Sequence, residues 1–464
     1  MPTLSRSRRP SVHGNLRVPG VLRLGLSTLS LVSLLWPAAA SFAAASGALS
    51  GELDRQLAAG QAQLLENRHH LHAHPELGNR ETETAAYLAA RLREMGLTPR
   101  TGVAKTGVVA VIEGGRPGPV VALRADMDAL PVTEEVDLPF ASRVTTTWEG
   151  ATVGVMHACG HDSHMSMVLA AGRALAAMRE RLPGKVVLIF QPAEEGVPAE
   201  EAPAGAELMV SEGVLDAPPV DAIFGLHVFA GLPSGIVGYR SGPALASSDR
   251  FEIVVEGRQT HGAKPWAGVD PIVVGSQIVV ALQTIVSRQI DLTKEPAVVT
   301  VGQFQAGVRS NIVPDRARLV GTIRTFDEAM REDVHARLRR TAEQIASASG
   351  ASATVTIEPG YPVTVNDPQL TAAMLPTLER VAPGRVREVP KITGAEDFSY
   401  YAQRVPGLFI NLGITPPDQV EGAASNHSPR FFVDEGALPT GASALAHLAL
   451  DYLTGVGGGK PPRE

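Results

Sequence analysis

Short apolar runs rich in β-branched residues recur along the chain, at PVVALRAD (119–126), KVVLIFQP (185–192), DAIFGLHV (221–228) and GLFINLGI (407–414). Each has strand length and is apolar on both faces, the pattern of strands covered on two sides. Between them lie helical periodicities, such as SHMSMVLAAGRALAAMRERL (163–182), where Ser163 is positioned to cap the N-terminus. Strands alternating with helices predict an α/β domain with a mixed, largely parallel sheet flanked by helices.

The rhythm changes in the middle of the chain. FEIVVEG (251–257), a helix over 270–290, AVVTVGQF (297–304), ARLVGTIRT (317–325), a charged helix over 327–348 and ATVTIEP (353–359) follow one another. That order is βαββαβ, the split ferredoxin-like α+β unit. Residues 46–245 and 361–455 are therefore expected to form one discontinuous domain, interrupted by an insert at 246–360 and followed by a Gly-rich tail at 456–464. No internal repeat interrupts this plan.

Composition alters the picture mainly at the N-terminus. Residues 1–45 carry five arginines and no acidic residue, then the apolar run LGLSTLSLVSLLWPAAASFAAA ending in small residues. A basic start, a short apolar core and an A-x-A-like exit predict an export signal, cleaved after Ala40 or Ala45. Ser and Pro interrupt the run, so a stable membrane anchor is not expected. The expected location is periplasmic or secreted. Net charge is −7 and becomes more negative once the leader is gone, which argues against a nucleic-acid partner. The single cysteine excludes an intramolecular disulfide.

Ionisable residues collect where the predicted strands stop. Asp126 and Asp128 follow the first strand, Glu194 and Glu195 the second, and His227 closes the third. Ligands of open α/β sheets gather beyond the carboxyl ends of strands, so these side chains should share one crevice. In MHACGHDSH (156–164), Cys159 and His161 stand two apart, which on an extended backbone puts both on one face. C-x-H alone reads first as a buried cysteine beside a capping histidine. The only cysteine of an exported chain, with carboxylates and histidines at other strand ends, shifts the reading to a divalent ion such as zinc. QPAEEG (191–196) supplies two adjacent carboxylates expected to point in different directions, one toward a metal and one toward substrate as general base. Taken alone it reads as a solvated acidic loop. There is no G-x-S-x-G elbow and no evident Ser/His/Asp arrangement.

The ordered series LHAHPELGNRETETA (71–85), RADMDALPV (124–132), MHACGHDSH, QPAEEG, GLHV (225–228), THGAKPWAGVDPI (260–272), SNIVPD (310–315), GTIRT (321–325), GAEDFSYY (394–401) and NHSPRFFVDE (426–435) resembles the aminoacylase/carboxypeptidase-type di-metal peptidases. The resemblance is to their amidohydrolase branch, with hippurate hydrolases and indole-acetyl-amino-acid hydrolases, and runs from about residue 60 to 450. It implies a catalytic α/β domain, an inserted ferredoxin-like lid that also makes a homodimer, and two divalent metal ions per chain (Zn, Mn, Co or Ni). Carried over, the metal ligands are Cys159, His161, Glu195, His227 and His427, with Glu194 as general base. His261, from the lid, polarises the scissile carbonyl, and Asn311 and Arg324 hold the substrate α-carboxylate. Asp126 and Asp128 stand where related branches carry a metal-ligating His-x-Asp, and are expected to orient His161 or its neighbours. His72, His74 and His164 are left to capping or packing. The stretch VPAEEAPAGAELMV after QPAEEG is longer and more acidic than the compact Gly-rich loop expected there.

The implied reaction is hydrolysis of an N-acyl amino acid or a small dipeptide by metal-activated water. The alternatives are a periplasmic metallo-carboxypeptidase acting on peptides, and a non-catalytic solute-binding protein, which would need no general base.

Overall fold

The computed structural model describes residues 35–456. Most of the expected leader, and the tail from 457 onward, lie outside them. The chain falls into two compact units, 1–47 and 48–464, and the second carries both large sheets and all of the site.

Helices α1 (Gln61–Ala73) and α2 (Thr82–Glu94) precede strands β1 (Arg100–Val103), β2 (Gly107–Glu113) and β3 (Arg116–Asp126). Then come α3 (His161–Ala177), β4 (Pro183–Gln191), β5 (Ala222–Pro233) and β6 (Val237–Tyr239). The insert consists of β7 (Asp249–Glu256), α4 (Pro271–Thr284), β8 (Ala297–Ala306), β9 (Arg316–Thr325), α5 (Glu328–Ala348) and β10 (Ser352–Pro359). The chain returns through α6 (Pro368–Val381), β11 (Val386–Glu388), β12 (Gly407–Thr415) and α7 (Leu438–Thr454).

The main sheet has the order β1-β2-β4-β3-β5-β12-β6-β11. Its four central strands, β4, β3, β5 and β12, are mutually parallel, while β1 and β2 run antiparallel at one edge. Alternation along β3 divides the core. Val121, Leu123 and Ala125 pack beneath α1, α2, α3 and α7, and Val120 and Ala122 meet Met209, Phe398 and Tyr401 on the other face. Each such buried aliphatic side chain contributes about 1.5–3 kcal/mol. Register then sets the crevice: Asp126 lies beside Gln191, and His227 beside Asn411.

The insert forms its own antiparallel sheet, β8-β9-β7-β10, the ferredoxin-like order expected from its rhythm. Phe251, Ile253 and Val255 alternate inward from β7 to meet Val274, Ile278 and Leu282 of α4 and Val334, Leu338 and Ala342 of α5. Asp270 and Asp327 cap these two helices, accepting the Ile272 and Met330 amides respectively. The segment Pro271–Gln289 is long and apolar enough to cross a membrane. Here its buried face belongs to the insert's core, while Ile272, Val273 and Val280 are exposed.

Two local expectations are corrected. Helix α3 starts at His161 with Gly160 as its N-cap, so Ser163 lies inside the first turn and instead accepts a hydrogen bond from Arg68. Gly160 adopts φ 94, a left-handed conformation open to glycine, which starts the helix early. His227 does not close its strand, because β5 continues to Pro233, still paired with β12.

Candidate metal centre

Two trios of donors share one sulfur. Cys159 joins His161 and His227 in one, and Glu195 and His427 in the other, with the donor atoms of each trio within 4.8 Å of one another. The Cys159 Sγ lies 3.3 Å from Nε2 of His227 and 3.3 Å from Nε2 of His427. A tetrahedral shell around an ion such as zinc spaces its donors about 3.3–3.8 Å apart.

The backbone that assembles these groups is not extended. The left-handed turn at Gly160 folds Cys159 and His161 together, where an extended C-x-H had been expected. Glu194 and Glu195 likewise do not diverge. Glu194 Oε2 and Glu195 Oε1 lie 3.9 and 3.8 Å from His161 Nε2. Ala193 has φ 53, so the chain kinks on leaving β4 and the two-residue alternation of a strand no longer applies. His427 also has positive φ, 71. Strained non-glycine residues of this kind persist where surrounding bonds hold them. The His427 amide donates to the Ala158 carbonyl at 2.8 Å, and Asn426 donates to the carbonyls of Cys159 and Val228.

Hydrogen bonds fix the histidine tautomers. His161 donates its Nδ1–H to the Asp128 carbonyl and His227 its Nδ1–H to the Val228 carbonyl, each at 2.8 Å, leaving both Nε2 atoms as lone-pair donors. His164 uses both nitrogens: Nδ1–H donates to Asp126 at 2.6 Å, and Nε2 accepts the Val228 amide at 2.9 Å. It therefore braces the cluster without a lone pair to offer. Asp126 and Asp128 stand beside the donors, Asp128 with both its carbonyl and its carboxylate near His161 Nδ1.

The residues fit a pair of divalent ions on two grounds. His161 Nε2 is buried with no hydrogen-bond partner, and Glu195 Oε1 has only His427 Nε2 at 3.3 Å, a costly arrangement that a cation relieves. Thiolate, imidazole and carboxylate together suit Zn, Mn, Co or Ni. The electrostatics favour positive charge there. Burial works against a charged His161, but Asp126 and Asp128 outweigh it and lift its pKa to about 10. Burial, with Glu195 and Glu194, pushes the Cys159 thiol well above its usual range. Burial, with Glu396 and Glu195, raises Glu194 well above the ordinary carboxyl range.

A family model described as Peptidase family M20/M25/M40 matches residues 122–451. The chain belongs to this peptidase family. Thermostable carboxypeptidase 2 of Saccharolobus solfataricus is 39% identical over 391 residues, which is 84% of this chain and 95% of that one. The IAA-amino acid hydrolase ILR1-like 2 of Arabidopsis thaliana is also 39% identical over 391 residues, 83% of this chain and 84% of its own. A solved structure from Bacillus subtilis, a dinuclear metal binding peptidase from the M20 family, is 37% identical with TM-score 0.71, over 85% of this chain and 99% of that one.

Within this M20-type fold, the insert's candidate residues stand apart from the donors. His261 is exposed and accepts the Ala263 amide, and its neighbour Gly262 donates to the Asn311 carbonyl at 2.8 Å. The insert thus brings His261 and Asn311 together. Arg324 turns its guanidinium back to Thr322 and the Ile323 carbonyl, beside a cavity of about 470 Å³ lined by Thr300, Gln303 and Thr322. Among the described residues no carboxylate pairs with Arg324. Asp327 caps α5, and Glu328 binds Arg331 and the Val363 amide. None of the three insert residues hydrogen-bonds to the donor cluster.

Several contributors carried no assignment in the sequence. Arg124 is fully buried beneath the cluster, 2.8 Å from Asp126, 2.9 Å from Glu396 and 2.8 Å from Asp397, and offsets their charge. Its place in RADMDALPV was visible, but Glu396 and Asp397 lie some 270 residues away. Glu81 accepts the Ala193 amide, and Tyr361 donates to the Glu194 carbonyl. The acidic stretch after QPAEEG is tied down, Glu201 accepting from Asn79 and Arg80. His72 lies between Asp162 and Glu134, and His74 donates to the His70 carbonyl, both in structural roles.

Proposed function

We propose that this protein is a two-metal amidohydrolase that cleaves N-acyl amino acids or small dipeptides. The observation that carries the reading is the pair of donor trios sharing Cys159, with the carboxylate of Glu194 beside them on His161. In this reading Cys159, His161 and His227 hold one ion, and Cys159, Glu195 and His427 the other. Divalent ions there supply Lewis acidity, acidifying water and drawing charge from the scissile carbonyl. Glu194 takes the proton of the attacking water and delivers it to the leaving amine. His261 donates to the carbonyl oxygen when the insert closes as a lid, and Arg324 with Asn311 grips the α-carboxylate.

Hydrolysis of a panel of acyl-amino acids and dipeptides by metal-reconstituted protein tests this. Turnover should vanish in Glu194→Gln while both ions remain. Full activity in that variant removes Glu194 as the base. The carboxypeptidase name of one 39% identical relative favours a second reading, a carboxypeptidase on peptides. Preference for longer peptides over acyl-amino acids would establish it.

The proposal extends to assembly and location. Edge strand β8 exposes Val298 and Phe304, and α4 beside it exposes Val273 and Val280, a face suited to pairing with a second copy. Sedimentation of a monomer at micromolar concentration counts against the homodimer. Export through the basic leader predicts a mature start at Ser41 or Ser46, read by intact mass of periplasmic or secreted material.

A further inference from the structure

Three hydrogen bonds hold the kinked backbone that presents Glu194. The Ala193 amide donates to Glu81 at 2.9 Å and the Glu195 amide to Asp128 at 2.9 Å. The third is of different origin: the Tyr361 hydroxyl donates to the Glu194 carbonyl at 2.6 Å. Glu81 and Asp128 ride on the main α/β body, at the edge of α2 and just past β3. Tyr361 comes two residues after β10, in the connection by which the chain leaves the insert. Its carbonyl accepts the Ser248 amide at 2.9 Å, which joins the outgoing connection to the incoming one. Tyr361 thus joins the two connections through its backbone carbonyl and reaches the peptide that carries the proposed base through its phenol.

We propose that Tyr361 is a positioning residue that ties the aim of the Glu194 carboxylate to the angle of the insert. Rotation of the insert about residues 246–248 and 360–363 moves the phenol, and the Glu194 carbonyl moves with it. Because Glu81 and Asp128 pin the flanking amides, that movement turns the Glu194 peptide rather than displacing the loop. The base is aligned when the insert is closed and misaligned when it is open. This inference rests on the reading of Glu194 as the base.

Tyr361→Phe removes the donor and keeps the ring. In metal-loaded protein it should lower kcat about fivefold to tenfold, the worth of one neutral hydrogen bond. KM should stay within about twofold, as for an interaction that acts on the chemical step. Metal content should stay at the wild-type level, and hydrogen exchange in a peptide covering 192–197 should quicken. Tyr361→p-aminophenylalanine, which restores a donor, should recover kcat. Unchanged kcat with unchanged exchange overturns the proposal, as does loss of metal together with a raised KM, which marks a merely structural residue. If wild-type protein hydrolyses no acyl-amino acid, the base assignment falls separately, and exchange at 192–197 alone decides whether Tyr361 positions that peptide.

Discussion

The Glu81 carboxylate accepts the Ala193 amide at 2.9 Å while receiving the Thr106 hydroxyl on its other oxygen at 2.6 Å. It thereby holds a non-glycine residue in a left-handed conformation one position ahead of Glu194. Glu81→Ala leaves that buried amide unpaired and should cost about 1–3 kcal/mol of stability. Glu81→Gln keeps an acceptor and should cost less, with a smaller loss of kcat. Urea unfolding and kinetics on both variants check this. Equal damage from Gln and Ala would mean that the charge, not the accepted amide, is what matters.

Cys159 serves both donor trios, so its loss should be felt at two ions rather than one. Cys159→Ala should reduce bound metal below two equivalents and leave the remainder loosely held. Elemental analysis after gel filtration reads this directly. Two tightly held ions in the variant would refute the shared ligand.

Arg324 is half-buried and bonded only to its own strand, a guanidinium poised for a partner. Arg324→Ala should lower kcat/KM on acyl-amino acids by roughly one to two decades. The matching acyl-amino-acid amides, which lack the carboxylate, should be affected far less. Equal losses on both substrates would show that Arg324 supports the fold of the insert.

His72 gives the clearest pH dependence. Burial opposes its charge, but Asp162 and Glu134 prevail and lift its pKa to about 9. A histidine of raised pKa adds stability that is fully present below the unfolded value of about 6.5, and that stability is lost as pH rises through the folded value. Wild-type stability relative to His72→Gln should therefore shrink between about pH 6.5 and 9. Denaturant titrations across that window test it, and a constant difference would exclude a charged His72.

Short apolar runs of strand length located the β3, β4, β5 and β12 strands, and the change of rhythm located the βαββαβ insert, because both depend on local pattern and burial. The donor residues were legible for a different reason: the ordered motifs that resemble the di-metal peptidases carry them, His427 by that resemblance alone. What escaped was geometry made by turns. Nothing in C-x-H or in Glu-Glu announces the left-handed residues Gly160 and Ala193, so the side-chain directions inferred from an extended backbone were wrong. The contacts of Arg124 with Glu396 and Asp397, and of Tyr361 with Glu194, join segments more than 150 residues apart. Such pairs are set by tertiary packing, for which a single sequence carries no periodic signal.

His427 sits apart from its fellow donors in one respect: 55% of its side chain faces solvent, whereas His161 is wholly enclosed. It rides on a turn clipped in place by Asn426. The two halves of the centre are thus unequal in time as well as in space. The ion on the Cys159–Glu195–His427 side can be reached by a chelator after one histidine swings out, while the other must wait for the interior to open. Stripping should be biphasic, and Asn426→Ala should hasten its first phase alone. In the cell that outer position would be the one that samples whichever metal is at hand, and the inner one would keep the ion present when the chain folded.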